Sequence, residues 1–243
     1  MHTLRALGRL LRMFAWVLHG CWLVYTRFPK LTMAEYAREV EAWAQHMLRI
    51  IGVQVHVTGQ PAAGPVLLAA NHISWLDILV MHAASHCRFV AKSEIRRWPL
   101  VGALTTGGGS LYIERSSSRD AMRVVHQMAE ALQQGDVLAV FPEGGTGDGI
   151  TLLPFHANLL QAAIVVNAPV QPVALKFVDA QSQTRSLAPC YRDDDTLLSS
   201  VWRTLCSPPL LAEVHYGATE QHLGRSRREW AHDLRERVAQ LAQ

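Results

Sequence analysis

A chain of 243 residues with 49% apolar and 18% charged residues carries enough hydrophobic material for one packed domain, and general disorder is excluded. Its formal net charge of +3 is too weak to argue for nucleic acid, but it fits an anionic membrane surface or a phosphorylated substrate. Cys21, Cys87, Cys190 and Cys206 are scattered, with no C-x-x-C pair and no zinc or disulfide spacing, so they read as reduced thiols of a cytosol-facing protein.

Residues 4–30, LRALGRLLRMFAWVLHGCWLVYTRFPK, are apolar and aromatic, with Arg5, Arg9 and Arg12 ahead of the apolar heart and Arg27 and Lys30 behind it. No convincing small-residue cleavage site follows, which argues against a signal peptide. The uncharged stretch from Met13 to Thr26 would be about 21 Å long as a helix, short of the ~30 Å hydrocarbon core. Basic flanks and two tryptophans predict an interfacial or partly inserted helix; the other reading is a buried helix of the domain itself. Met33 to Ile51 reads as a second helix, with Ala37, Val40, Trp43, Ala44, Met47 and Ile51 at helical spacing. Joined at Pro29, the two form a membrane-associated helical hairpin at 1–52, ahead of a domain at 53–243.

In that domain VQVHVTG (53–59) alternates like a strand, and PVLLAA (65–70) is the continuous apolar run of a strand buried on both faces. CRFVAK (87–92), SLYIER (110–115), DVLAVF (136–141) and PVQPVAL (169–175) repeat that pattern, and LLAEVHYG (210–217) adds a late strand. Helices separate most of them. Between 118 and 134, Ala121, Val124, Val125, Met128, Ala131 and Leu132 make one apolar face, which Gly135 ends. Gln181 to Asp195 is a polar loop, and Trp230, Leu234, Val238 and Leu241 stripe a last helix. The alternation predicts an α/β fold with a mainly parallel central sheet flanked by helices, whose site gathers at the carboxyl ends of the strands.

The residues at those ends therefore matter most. In NHISWLD, His72 and Asp77 are five apart, too far round for one helical face. Ser74 to Asp77 matches a capping box, with Ser74 as N-cap and Asp77 in the first turn. His72 then lies in the preceding turn, where Asp77 can accept a proton from one ring nitrogen and leave the other basic, as acyl-transfer chemistry requires. A plain helix cap beside a loop histidine is the competing reading. FPEGGTGDG (141–149) places Glu143 at a strand end, followed by Gly144, Gly145 and Thr146, where backbone N–H groups can face a phosphate or an oxyanion; the lysine of a P-loop is lacking. Arg115 and Lys92 each follow a strand-like run, and a guanidinium there can grip phosphate bidentately. Their bland readings are a surface salt bridge and a solvated lysine. His82 and His86 have helical i,i+4 spacing but lack the third ligand of a metal motif. Arg96 to Pro99, RRWP, mixes basic and aromatic groups and could touch lipid headgroups or be an ordinary exposed turn.

Together these stretches resemble the glycerophospholipid acyltransferase family, specifically the bacterial 1-acyl-sn-glycerol-3-phosphate acyltransferases. NHISWLD is similar to the family's first motif, N-H-x-S-x-x-D; GSLYIER to the second; FPEG opens the third; and APVQPVAL is similar to the fourth, in the same order over about Val53 to Phe177. The resemblance implies transfer of an acyl chain from acyl-CoA or acyl-carrier protein to the free hydroxyl of a lysophospholipid, without cofactor or metal, at the inner (cytoplasmic) membrane with the active site facing the cytoplasm. It implies His72 as general base, Asp77 as its orienting partner, and Lys92 and Arg115 on the acceptor phosphate. Glu143, Gly144, Gly145 and Thr146 would shape the site around acceptor and reacting carbonyl. The family's third motif continues F-P-E-G-T-R-S; here Gly145 and Thr146 replace the threonine and arginine, so a positive charge is missing near the acceptor. A lyso-ornithine lipid acyltransferase is the alternative. A noncatalytic lipid-binding protein would not need the intact His72 and Asp77, and a soluble esterase would need the absent G-x-S-x-G elbow.

Overall fold

The computed structural model describes residues 2–113, 118–191 and 195–243. Two helices open the chain, α1 (His2–Thr26) and α2 (Met33–Ile51), and a 3-10 turn at Phe28–Lys30 containing Pro29 reverses direction between them. A capping box between Thr32 and Glu35 starts α2, satisfying two backbone donors that the helix itself cannot. The helices run antiparallel. Trp16 and Trp43 each donate their indole N–H to the other's backbone carbonyl, at 3.1 and 3.3 Å.

Seven strands form one sheet, β1 (Val53–Thr58), β2 (Val66–Ala70), β3 (Arg88–Lys92), β4 (Leu111–Ile113), β5 (Val137–Val140), β6 (Val170–Asp179) and β7 (Leu210–Tyr216), in the order β1-β7-β6-β2-β5-β3-β4. The block β6-β2-β5-β3-β4 is parallel throughout; β7 joins it antiparallel, and β1 pairs parallel with β7. The fold is the α/β architecture expected, with an antiparallel return at one side. Burial follows the sequence pattern. Every residue of β2, at the centre, is buried, whereas β7 alternates and the edge strand β1 is buried at Val53 alone.

Among the described residues six further α-helices follow: α3 (Leu76–Ala84), α4 (Val101–Gly107), α5 (Ser118–Gln133), α6 (Gln161–Val166), α7 (Leu197–Cys206) and α8 (Arg227–Leu241). Alternate side chains of β2 divide the core. Val66, Leu68 and Ala70 pack with α2, α3 and α7, while Leu67 and Ala69 pack with α5, α6 and α8. Each fully buried leucine or valine of this kind is worth about 1.5–3 kcal/mol. The hairpin shares the first of these clusters through Ala6, Ala44, Met47, Leu48 and Ile51, so the boundary at residue 52 separates two parts with a common core.

Helix α1 lies against the domain with one face only. Ala6 and Leu23 are buried, and Arg9 turns inward to donate to the Leu205 carbonyl at 3.0 Å, unlike its basic neighbours Arg5 and Arg12, which are exposed. The opposite face exposes Leu4, Leu7, Leu11, Phe14, Leu18, Trp22 and Tyr25, spaced three and four apart along the whole helix. By length and composition α1 could cross a membrane.

Candidate active site

The parallel strands end together on one edge of the sheet, and the turn after β2 projects from the middle of it. Asn71 anchors that turn. Its buried side-chain amide donates to the Leu175 carbonyl at 3.0 Å and accepts the Leu175 N–H at 2.7 Å, tying the end of β2 to β6. His72 follows, with its side chain 21% exposed, and Asp77 reaches back from the first turn of α3 with its carboxylate wholly buried.

One carboxylate oxygen of Asp77 accepts from three donors: His72 Nδ1 at 2.7 Å, Ile73 N–H at 2.6 Å and Ser74 N–H at 2.9 Å. An acceptor on Nδ1 assigns the ring proton to that nitrogen, so Nε2 carries the free lone pair and is the basic atom. The capping geometry differs from the expected box. Helix α3 begins at Leu76 with Trp75 as its cap, and Ser74 Oγ accepts from the Leu76 N–H at 3.2 Å. Asp77 supplies the return half of the box and spends the rest of the same oxygen on the histidine.

The glycine-rich loop after β5 packs onto His72. Phe141, one step beyond the Ala69–Val140 pair, stacks on the His72 ring with centroids 4.0 Å apart and planes 11° from parallel. Glu143 is buried; one oxygen accepts the His72 N–H and the other the Leu153 N–H, both at 2.7 Å. The His72 carbonyl in turn accepts the Gly147 N–H at 2.8 Å. Both backbone polar groups of His72 are thereby fixed by one loop. Burial raises the Glu143 carboxyl above its ordinary range, and the two backbone N–H groups it accepts pull it back. Each Glu143 oxygen thus holds one backbone N–H group beneath the site, and the residue fixes the main chain of His72.

Gly144 turns the chain at φ 75 and donates its N–H to the Phe141 carbonyl at 3.1 Å. Thr146 Oγ donates to the Tyr191 carbonyl at 2.6 Å, so its hydroxyl also holds the loop in place, while the Tyr191 N–H donates to the Ile73 carbonyl at 3.0 Å. A Cβ on Gly145 would meet nothing within 4 Å, and the N–H groups of Gly145 and Thr146 have no acceptor among the described residues. Gly149 is obligatory: at φ 69, a Cβ would meet Ile73 Cδ1 at 2.6 Å. Lys92 ends β3 exposed, with no hydrogen bond or ion pair among the described residues. Arg115 lies outside the described residues.

Phe141 and Tyr191, to which the sequence assigns no role, hold the site. Phe141 is the first residue of FPEG, at the end of a strand-like run, and nothing in that pattern marks its ring as a partner of His72. His82 and His86 stack on each other at 5.4 Å with an unpartnered Nδ1 each, and His82 meets Phe89 edge-on at 5.0 Å. Among the described residues no group of three metal-ligating side chains forms.

An acyltransferase family model matches residues 52–176, just over half of the chain, and includes both the dyad and the loop that clamps it. The chain belongs to the acyltransferase family. This acyltransferase is 39% identical over 169 residues to a 1-acyl-sn-glycerol-3-phosphate acyltransferase of Neisseria gonorrhoeae, covering 68% of the chain and 64% of that relative. It is 38% identical over 168 residues to a lyso-ornithine lipid O-acyltransferase of Pseudomonas aeruginosa, covering 67% and 62%. The matches thus span less than two thirds of either relative's length. The crystal structure of a 1-acyl-sn-glycerophosphate acyltransferase from Thermotoga maritima shares the fold, with a TM-score of 0.68 at 20% identity over 96% of each chain.

Proposed function

We propose that this acyltransferase moves an acyl chain from a thioester donor, acyl-CoA or acyl-carrier protein, to the sn-2 hydroxyl of 1-acyl-sn-glycerol 3-phosphate, giving phosphatidic acid for phospholipid synthesis. The observation that carries the reading is the His72–Asp77 pair at the open edge of the sheet, with Nε2 free of partners among the described residues. His72 Nε2 takes the acceptor hydroxyl's proton as the oxygen attacks the thioester carbonyl. The resulting imidazolium is stabilised by Asp77, and the tetrahedral intermediate collapses with cleavage of the carbon–sulfur bond. The thiolate leaves and recovers the proton from His72, so the base is regenerated without a covalent acyl-enzyme. The uncommitted N–H groups of Gly145 and Thr146 are the candidates for steadying the oxyanion. Lys92, with Arg115, would hold the acceptor phosphate. The chemistry calls for no cofactor or metal.

The stripe on α1 supports action at a lipid surface. Covering seven large apolar side chains, each about half exposed or more, is worth on the order of 5–10 kcal/mol. The helix would lie in the interface of the inner membrane, its other face docked on the domain and the site open to the cytoplasm.

A second reading, acylation of lyso-ornithine lipid, is favoured by Gly145 and Thr146 standing where a threonine and an arginine would serve a phosphate, and by the 38% identity to a relative of that name. Purified protein in detergent, given labelled acyl-CoA or acyl-carrier protein with lysophosphatidate, glycerol 3-phosphate and lyso-ornithine lipid in turn, tests both. Product with lysophosphatidate alone supports the main reading; product with lyso-ornithine lipid alone replaces it.

A further inference from the structure

A second polar feature lies on the same edge of the sheet. A cavity of about 620 Å³ is lined by Ser93, Arg96 and Arg97 from the 3-10 turn that continues β3, by Tyr112 of β4, and by Arg123 of α5. Arg96 lies over the Tyr112 ring at 5.8 Å. Neither Arg96 nor Arg97 has a hydrogen-bond or ion-pair partner among the described residues. Among the described residues that line the cavity there is no carboxylate. Three guanidinium groups around one concavity of ligand size make a receptor for a multiply charged anion, and the tyrosine ring adds a face for a planar group.

Register fixes its distance from the dyad. Phe89 of β3 is level with Ala139 of β5, which is level with Leu68 of β2, so Lys92 lies level with Asn71 two strands away. Strands are spaced about 4.8 Å apart, placing the end of β3 about 10 Å from His72 and β4 about 14 Å. A glycerol phosphate is too short for that gap, because its phosphorus lies only about 5 Å from the reacting hydroxyl. Lys92 can reach such a phosphate; the arginine cavity lies beyond it. A pantetheine arm places about thirteen bonds, on the order of 15 Å, between thioester sulfur and pyrophosphate.

Resting on the thioester-donor reading above, we propose that this cavity binds the nucleotide end of coenzyme A, with Arg96, Arg97 and Arg123 on its phosphates and Tyr112 beside its adenine. The concave shape fits a small polyanion better than the broad acidic surface of a carrier protein.

Direct binding tests this independently of turnover. Unacylated coenzyme A and adenosine 3′,5′-diphosphate are titrated calorimetrically into the full-length protein in neutral detergent. Three variants are compared with it: Arg96→Ala/Arg97→Ala, the charge-keeping Arg96→Lys/Arg97→Lys, and His72→Ala. The expected result is binding of both ligands, weakened about ten- to a hundredfold by the alanine pair. The lysine pair should weaken it less, and His72→Ala not at all. If coenzyme A binds the alanine pair, folded by circular dichroism, as tightly as the parent, the proposal is overturned. The same holds if the alanine pair loses only its sedimentation with phosphatidylglycerol vesicles, since the arginines would then serve lipid headgroups. Should no acceptor be acylated while coenzyme A still binds through Arg96 and Arg97, the cavity assignment stands and the reaction reading falls.

Discussion

Glu143 accepts the backbone N–H of His72 at 2.7 Å, and its second oxygen accepts that of Leu153 at the same distance. A buried carboxylate thus joins the turn after β2 to the loop after β5, and His72 is held through its main chain. Removing that acceptor leaves two N–H donors in a dry site, at about 1–3 kcal/mol each. Glu143→Ala is therefore expected to lose about 2–6 kcal/mol in urea unfolding, together with most of its turnover. Glu143→Gln keeps one acceptor and should fall between. Had Glu143 bound the acceptor, Glu143→Gln would instead raise the KM for lysophosphatidate with little change in unfolding midpoint.

Phe141 covers one face of the His72 ring. Phe141→Leu keeps an apolar side chain but removes the flat surface that sets the imidazole's plane. The expected outcome is a fall in kcat of about tenfold, the order of 1–1.5 kcal/mol that a stacked ring pair contributes, with acceptor KM nearly constant. Unchanged kcat would assign Phe141 to the core alone.

His72→Ala should lower turnover about 10²–10⁴-fold while coenzyme A binding persists. Asp77→Asn is more informative. The amide oxygen can keep the Ile73 and Ser74 N–H bonds, but its nitrogen must then replace the second Asp77 oxygen, which is buried without a partner among the described residues. That unmatched donor costs about 1–3 kcal/mol, and the neutral side chain no longer stabilises the imidazolium. Lost activity together with a lowered melting temperature is expected; full activity in Asp77→Asn would reduce Asp77 to a helix cap.

His82 and His86 give the protein an acid limit. Burial, with the charge of His86 as a lesser cause, pushes His82 down to about 3 from 6.5, and burial, with the charge of Arg88 as a lesser cause, pushes His86 down to about 4. Asp136 partly opposes this at His86. Below pH 6.5 the unfolded chain binds protons that the folded chain refuses, so stability present near pH 7 is lost as pH falls toward 4. At pH 5 each site forfeits about 2 kcal/mol. Urea midpoints between pH 7 and 5 should drop accordingly, and His82→Leu should flatten the slope. An identical slope in His82→Leu would place the acid sensitivity elsewhere.

Much of this was legible in the sequence where local pattern and tertiary role coincide. Strand β2 is a run of apolar residues because it is buried on both faces, and His72 and Asp77 sit within one short turn, so their contact needs no distant partner. Helix α6 reads QAAIVV, a short β-branched run whose period cannot separate strand from helix. The stack of Phe141 on His72 exists because β5 lies beside β2, a fact of strand order that neither segment encodes. The pairing of Glu143 with backbone donors is equally non-local. Arg9 shows the same limit in α1: its spacing from Arg5 and Arg12 matches a basic flank, and the rotation of the helix on the domain decides that it alone points inward.

The outer stripe of α1 yields the last prediction. Leu11 is 65% and Phe14 54% exposed, on the face away from the domain, so charges placed there leave the core untouched. Leu11→Glu/Phe14→Glu should melt with the parent in detergent. On vesicles it forfeits about 1–2 kcal/mol of apolar contact at each position and adds repulsion from anionic headgroups. Together these predict a fall in vesicle partitioning of about thirtyfold or more, read by co-sedimentation with phosphatidylglycerol-containing liposomes. Activity on lysophosphatidate in vesicles should fall with it, while activity on a monomeric short-chain acceptor survives, because the dyad is built from other elements. Ala6→Glu, on the docked face, should instead destabilise the fold, separating the two faces of one helix by experiment. Undiminished sedimentation of Leu11→Glu/Phe14→Glu would move the lipid contact off α1, with the exposed Trp98 the next residue to alter.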